Sequence, residues 1–210
     1  MELILKYFAD FSSEQVAQFE RLQPVYEEWN QKINVISRKD IGLLYERHVL
    51  HSLSIAAAFP MEDGLELVDI GTGGGFPGLP LAIYYPNIQF HLVDSIAKKL
   101  KVVEAVVQDL GLTNVSFEHN RIENVKNRKF DFAISRAVAP LKDLCQWAKP
   151  LLTSTHKMDE LKNGLICLKG GDLAEEISLS GVKPFVQEVF QLFPEDYFKE
   201  KYVLYVPLKT

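Results

Sequence analysis

Val68-Asp69-Ile70-Gly71-Thr72-Gly73-Gly74-Gly75-Phe76 couples the end of a short apolar run to a glycine-rich loop. The run, Leu65–Ile70, has the length and composition of a buried β-strand. Glycines directly after such a strand let backbone approach a ligand without interference from Cβ atoms. Two spacings overlap here. Gly71-x-Gly73-x-Gly75 suits a sulfonium nucleoside, and Gly73-x-Gly75-x-x-Gly78 formally matches the dinucleotide fingerprint. Register separates them. Ile70 is the strand's last apolar residue, so Gly71 takes the tight turn, and the position that would complete a dinucleotide pattern from there is Phe76. Pro77 also removes an amide from the helix start, where a pyrophosphate would bind.

S-adenosylmethionine, which carries no phosphate, fits this loop. Gly71, Gly73, Gly75 and Phe76 are therefore candidate cofactor contacts, and Asp69 suits the ammonium end of the methionine moiety. Asp94 closes the next apolar strand, where a carboxylate can accept from both ribose hydroxyls.

Outward from the loop, the periodicity predicts strands over 65–70, 88–93, 115–118, 130–135 and 165–169. Helices are predicted over 78–85, 96–110, 140–152 and 172–179. Gly111 ends the second of these. Two β-rich runs, 185–193 and 202–208, read as a closing hairpin with an antiparallel edge. The polar stretch 153–164 reads as a surface loop or helical turn. Upstream, apolar spacing predicts helices over 12–31, capped by Ser12 or Ser13, and over 40–59, capped by Asp40 and stopped by Pro60. The expected fold class is α/β: a Rossmann-like, mostly parallel seven-stranded sheet with helices on both faces. Residues 1–60 form an N-terminal helical extension and 61–210 the catalytic domain, packed as one structural unit.

The 210 residues are 47% hydrophobic and 24% charged, as in soluble globular proteins. No apolar run reaches membrane-spanning length, and no secretory leader precedes the first helix. Cys145 and Cys167 fall in different elements without metal-ligand spacing, which places the chain in the cytoplasm and without a metal. The net charge of -5 hides an asymmetry. Residues 90–150 hold ten bases against seven acids, whereas residues 1–30 hold two bases against six acids. Together with Arg38, Lys39, Arg47 and His48, those bases leave an RNA partner open.

Several chemistries are excluded. There is no Gly-Lys-Ser/Thr phosphate loop and no Gly-x-Ser-x-Gly nucleophile elbow. Ser135-Arg136-Ala137-Val138-Ala139-Pro140 replaces the Asn/Asp-Pro-Pro-aromatic of exocyclic-amine methyltransferases. Neither cysteine sits where a carbon-methylating nucleophile would. An acceptor that is already nucleophilic, such as guanine N7, needs no general base. Arg136 is then a candidate donor to guanine O6, or else a salt-bridge partner of Glu123 or Asp143.

From about residue 26 to 170 the chain resembles the RsmG (GidB) methyltransferases, which modify guanine N7 in bacterial small-subunit ribosomal RNA. Trp29-Asn30-x-x-x-Asn34, Arg47-His48, Gly71 to Ile83, Asp94-Ser95 with Lys98-Lys99, Arg121-x-Glu123, Ser135-Arg136-Ala137 and Leu168-Lys169-Gly170 carry the likeness. The resemblance implies that Gly71, Phe76, Ile122, Glu123 and Arg136 contact S-adenosylmethionine, with Ile122-Glu123 beside the adenine. It also implies a 16S rRNA or small-subunit precursor partner, met by Arg136, Lys169, Arg47 and His48, and a monomeric enzyme. A cofactor-binding scaffold or a small-molecule methyltransferase are the alternatives. The chain departs from the family pattern at His51 and Pro140, and its stretch 153–164 is longer. His48 and His51 share one helical face, which suits packing histidines.

Overall fold

Leu67, Val68, Asp69 and Ile70 are buried on both faces of strand β1 (Glu66–Ile70), as a central parallel strand requires. The computed structural model describes residues 1–208. Around β1 it arranges β2 (Gln89–Asp94), β3 (Val115–His119), β4 (Phe132–Arg136), β5 (Gly164–Gly170), β6 (Phe185–Glu188) and β7 (Lys201–Pro207) in the order β3-β2-β1-β4-β5-β7-β6. The first five pair in parallel. Register fixes the site: Ile70 lies beside Val93 on one side and Ser135 on the other. The chain segments leaving β1, β2 and β4 therefore emerge side by side, beyond the carboxyl ends of the strands.

One face carries α1 (Glu2–Tyr7), α2 (Ser13–Lys32), α3 (His51–Ala58), α4 (Gly78–Tyr84) and α5 (Ala97–Leu110). Phe19, Leu22 and Tyr26 of α2 share a buried cluster with Leu67, Leu92 and Phe132 of the sheet. The opposite face packs Val68, Ile70 and Val93 against α6 (Leu141–Ala148), with α7 (Ala174–Ser180) beside it. No helix among the described residues is long and apolar enough to cross a membrane.

Ser12 caps α2 through a reciprocal pair with Gln15, and Gly111 ends α5 in the left-handed region, both as expected. Four features differ. Helix α1 is too short for its periodicity to show, and Ile4 anchors it in the core. Residues 41–58 are helical throughout, as expected, but not a regular α-helix. A 3-10 turn (Ile41–Leu43) and a wide π-type turn (Tyr45–Leu50) precede α3. Asp40 caps nothing there; its carboxylate accepts instead from the Ser37 hydroxyl and the Arg47 guanidinium. The run 185–193 is strand only to Glu188, after which α8 (Val189–Leu192) turns Val189 and, one turn on, Phe193 into the core. Since β7 lies between β5 and β6, it alone runs antiparallel to the other six strands. Residues 153–163 form an irregular surface loop, held by Asn163, whose amide donates to the carbonyls of Thr153 and Thr155.

Candidate functional site

The glycine loop is a tightly self-bonded turn. Gly71 and Thr72 amides donate to Val93 O (2.9 and 3.0 Å), and Gly75 and Phe76 amides donate to Thr72 O (2.9 and 3.0 Å). Gly71 has φ +68°, and a Cβ there would lie 2.7 Å from Val138 Cγ2. At Gly75, with φ +100°, a Cβ would fall 2.3 Å from Leu79 Cδ1. Both positions need glycine for conformation and for space.

Asp69 is buried beneath this turn. Its Oδ2 accepts from the Thr72 hydroxyl (2.7 Å) and the Gly78 amide (3.0 Å). Asp69 thus buckles the loop and does not face the cofactor's ammonium as the sequence suggested. Its Oδ1 has no partner among the described residues, and burial raises its pKa to about 7.

Asp94 closes the far side. Oδ2 accepts from the Gly73 amide and Oδ1 from the Ile96 amide, each at 2.8 Å. A carboxylate offers about four lone-pair sites, so acceptors remain for two ribose hydroxyls. The Gly71, Thr72, Gly73, Gly75, Phe76 and Gly78 amides are all spent on internal acceptors. That leaves no nest of free N–H groups for a pyrophosphate.

The crevice has two lobes that share Gly71, Asp94, Ser95 and Val138. One, about 250 Å³, is lined by Ile122, Glu123, Asn120 and Trp147. The other, about 410 Å³, is lined by Val35, Gly71 to Gly74, Phe76, Lys99 and Arg136. Gly71, Gly73, Phe76, Asp94, Ile122, Glu123 and Arg136 are thus brought together; Gly75 supports the turn from inside.

Arg136 sits in a layered stack. Its guanidinium lies 4.9 Å above the Phe76 ring, which stacks on Tyr26 at 5.0 Å. Nη2 donates to His48 Nδ1 (2.9 Å) and Nη1 to Arg47 O (3.4 Å). Burial, reinforced by Arg136, drives the His48 pKa down to about 3, so a neutral imidazole accepts that bond. Neither Glu123 nor Asp143 pairs with Arg136, and among the described residues no carboxylate reaches it within 4.0 Å. A largely buried cation without a counter-ion is costly, and here it faces the second lobe.

Arg47 lies behind this stack, bound to Asp40 and 5.2 Å from the Tyr197 ring centre. His51 is a core residue against Phe198, its pKa also near 3 through burial. Lys169 is on the other side of the 137–138 backbone, where its ammonium donates to Ala139 O (2.5 Å) and Glu176 Oε1 (2.6 Å). Cys145 and Cys167 are buried, and burial pushes their thiols up to about 11 and about 12, which leaves them unreactive.

The sequence missed three contributors. Tyr26 read as a helical core position, yet its hydroxyl donates to Gly74 O at 2.6 Å. Asn30 Oδ1 accepts from the Val35 and Ile36 amides (2.9 Å each), which pins Val35 over Gly74. Trp147 lines the smaller lobe from α6. Only the Asn30 motif left a signal, as part of Trp29-Asn30-x-x-x-Asn34.

Residues 15–200 match the family model of rRNA small subunit methyltransferase G, or GidB. The chain belongs to this family. It is 51% identical to ribosomal RNA small subunit methyltransferase G of Flavobacterium psychrophilum over 209 residues, covering 100% of this chain and 99% of that one. The namesake from Phocaeicola vulgatus is also 51% identical, over 99% of each chain. Among solved structures, a SAM-dependent methyltransferase from Aquifex aeolicus superposes with a TM-score of 0.56 at 16% identity, over 81% of this chain and 98% of that one. A ribosomal protein L11 methylase from Lactobacillus delbrueckii gives 0.56 at 14%, over 77% of each. These likenesses establish the Rossmann-like methyltransferase fold that the glycine loop implied. As a GidB family member, the chain is an S-adenosylmethionine-dependent enzyme of rRNA methylation.

Proposed function

We propose that this enzyme transfers a methyl group from S-adenosylmethionine to N7 of a guanine in 16S ribosomal RNA. The observation that carries the reading is the crevice itself. A glycine turn with most of its amides spent lies between a carboxylate with lone pairs to spare and a half-buried guanidinium that no carboxylate pairs with among the described residues.

In this reading Asp94 takes the ribose hydroxyls, and the Ile122-Glu123 backbone with Trp147 flanks the adenine. Arg136 takes the methionine carboxylate. When bound, the cofactor supplies an electrophilic methyl on a sulfonium. The protein contributes positioning, since a guanine N7 lone pair attacks without losing a proton. Phe76 and His48 hold the guanidinium from two sides, and the Arg47 carbonyl in the π-type turn accepts from it as well. Arg121 and Lys99 line the crevice, and the exposed Arg38, Lys39, Lys98, Lys101 and Lys126 are further candidate phosphate contacts.

The test is transfer of labelled methyl from S-adenosylmethionine to 30S particles or 16S RNA, followed by mass mapping of the modified base. Label in 7-methylguanosine supports the reading. Label confined to protein or small molecules removes the RNA assignment.

A further inference from the structure

Three apolar side chains stand at the lobe that holds Arg136, and none of them is fully buried. Val138 is 44% and Ile96 41% exposed, and Val35 is half-buried. The backbone anchors each one in place. The Val35 amide donates to Asn30 Oδ1 and the Ile96 amide to Asp94 Oδ1. Val138 is bracketed by Ala137, whose amide donates to Leu168 O (3.4 Å), and by Ala139, whose carbonyl accepts from Lys169 Nζ (2.5 Å). Ala137 is held at φ +52°, a left-handed strain of the kind that gathers at ligand sites. Fixed apolar surface at the mouth of a site is surface that a ligand covers.

Positive charge lies just outside this rim. Exposed Arg38 and Lys39 follow Val35, and exposed Lys98 follows Ile96, with Lys99 on the lobe wall. Apolar contacts inside and cations outside suit a nucleotide whose base points inward while its phosphates stay at the surface. The lobe, about 410 Å³, is floored by the Gly71 to Gly74 turn, so the donor methyl is carried in a recess. Transfer needs N7 within about 3–3.5 Å of the methyl carbon and in line with the C–S bond. In a paired stem N7 faces a major groove too deep and narrow for side chains to enter. A duplex is also convex where the enzyme is concave. A single base turned out of the stack can enter the recess edge-first.

We infer that the enzyme methylates its guanine extruded from the RNA stack, with the base gripped at the rim by Val35, Ile96 and Val138. The N7 lone pair forms the new bond to the methyl carbon and the C–S pair returns to sulfur. The sulfonium charge passes to the purine, and no proton has to move. The inference rests on the guanine-N7 reading above and adds the state of the RNA that is accepted and the residues that hold the base.

The experiment uses whichever RNA accepts methyl in the assay above, 16S RNA or 30S particles, with the methylated guanine located by mass mapping. One complementary RNA oligonucleotide pairs that guanine with cytosine; a second, otherwise identical, places an abasic site opposite it. Extrusion costs least for an unpaired base. Wild-type kcat/KM on the abasic duplex should therefore exceed that on the paired one by at least about tenfold. On the RNA without oligonucleotide, Ile96→Ala should raise KM about threefold to eightfold, the worth of covering the exposed part of that side chain. Ile96→Leu should restore most of it. The Kd for S-adenosylhomocysteine, measured by calorimetry, should stay within about twofold in both variants, whereas a structural or cofactor role would move it together with KM. A ratio near one between the two duplexes overturns the inference while the methyltransferase reading stands. An Ile96→Ala effect that is absent, or that falls equally on the cofactor, does the same. Methylation that persists with 7-deazaguanine at that position would overturn the N7 reading and this one with it.

Discussion

Tyr26→Phe removes one oxygen and asks whether the N-terminal helices are part of the cofactor site. The ring is fully buried and stacks on Phe76 at 5.0 Å, a contact phenylalanine keeps. Only the 2.6 Å bond from the hydroxyl to Gly74 O is lost, and it leaves a buried carbonyl without a partner. Such an unsatisfied group costs about 1–3 kcal/mol. A domain of this length loses about 2–4 °C of Tm per kcal/mol. Scanning calorimetry should therefore show a fall of about 2–12 °C. A loop released by the same free energy populates its binding geometry less, and apparent affinity scales with that population. Titration with S-adenosylhomocysteine should give a Kd weaker by roughly fivefold, and by up to about 150-fold at the upper end of that range. A Tm within a degree of wild type together with an unchanged Kd would refute the claim that α2 buckles the loop.

Gly71→Ala should weaken S-adenosylhomocysteine binding at least about tenfold, given about 1–2 kcal/mol for the left-handed φ and the collision with Val138. Adding Val138→Ala should recover part of the loss, and calorimetry that shows no recovery would rule out the collision. Asp94→Ala should cost roughly tenfold to a hundredfold in the same titration, since bonds to charged groups contribute about 1.5–3 kcal/mol; a change under twofold would remove Asp94 from the ribose. The buried Asp69 carboxyl has its pKa raised from 3.8 to about 7, so the native state holds its proton across that window and the unfolded chain does not. Its contribution to stability therefore falls as pH rises from about 4 to 7. The urea midpoint of Asp69→Asn relative to wild type should climb between pH 4.5 and 7.5, and a constant difference would contradict the raised pKa. His51 runs the other way. Its pKa is lowered from 6.5 to about 3, so its contribution is present above 6.5 and lost as pH falls toward 3. The midpoint deficit of His51→Asn should shrink on acidification, which the same urea series measures.

The fold was legible because its signals are periodic and local. Leu65–Ile70 with the glycines after it, Asp94 after the next strand and Ser135-Arg136 after the fourth marked three adjacent strand ends, and the pairing of Ile70 with Val93 and Ser135 follows that order. Arg136 was found as a site residue, but its surroundings were not. Its partner His48 is 88 positions away, and the π-type turn that presents His48 has no sequence period of its own. Asp69 was misplaced for a related reason. A carboxylate before a glycine turn reads as a ligand contact, and only the fold shows that Thr72 and Gly78 use it first. Tyr26 looks like any other apolar position of an amphipathic helix until its hydroxyl is seen against Gly74 O. The run 185–193 was over-read as strand because burying both Val189 and Phe193, four apart, favours a helical turn that β-propensity alone opposes.

A crystal of the protein soaked with S-adenosylhomocysteine tests the site most directly. The expected result is adenine beside Ile122 and Trp147, both ribose hydroxyls on Asp94 and the carboxylate within hydrogen-bond reach of Arg136. Ligand density elsewhere, or a crevice that Val138 keeps closed over Gly71, would contradict it.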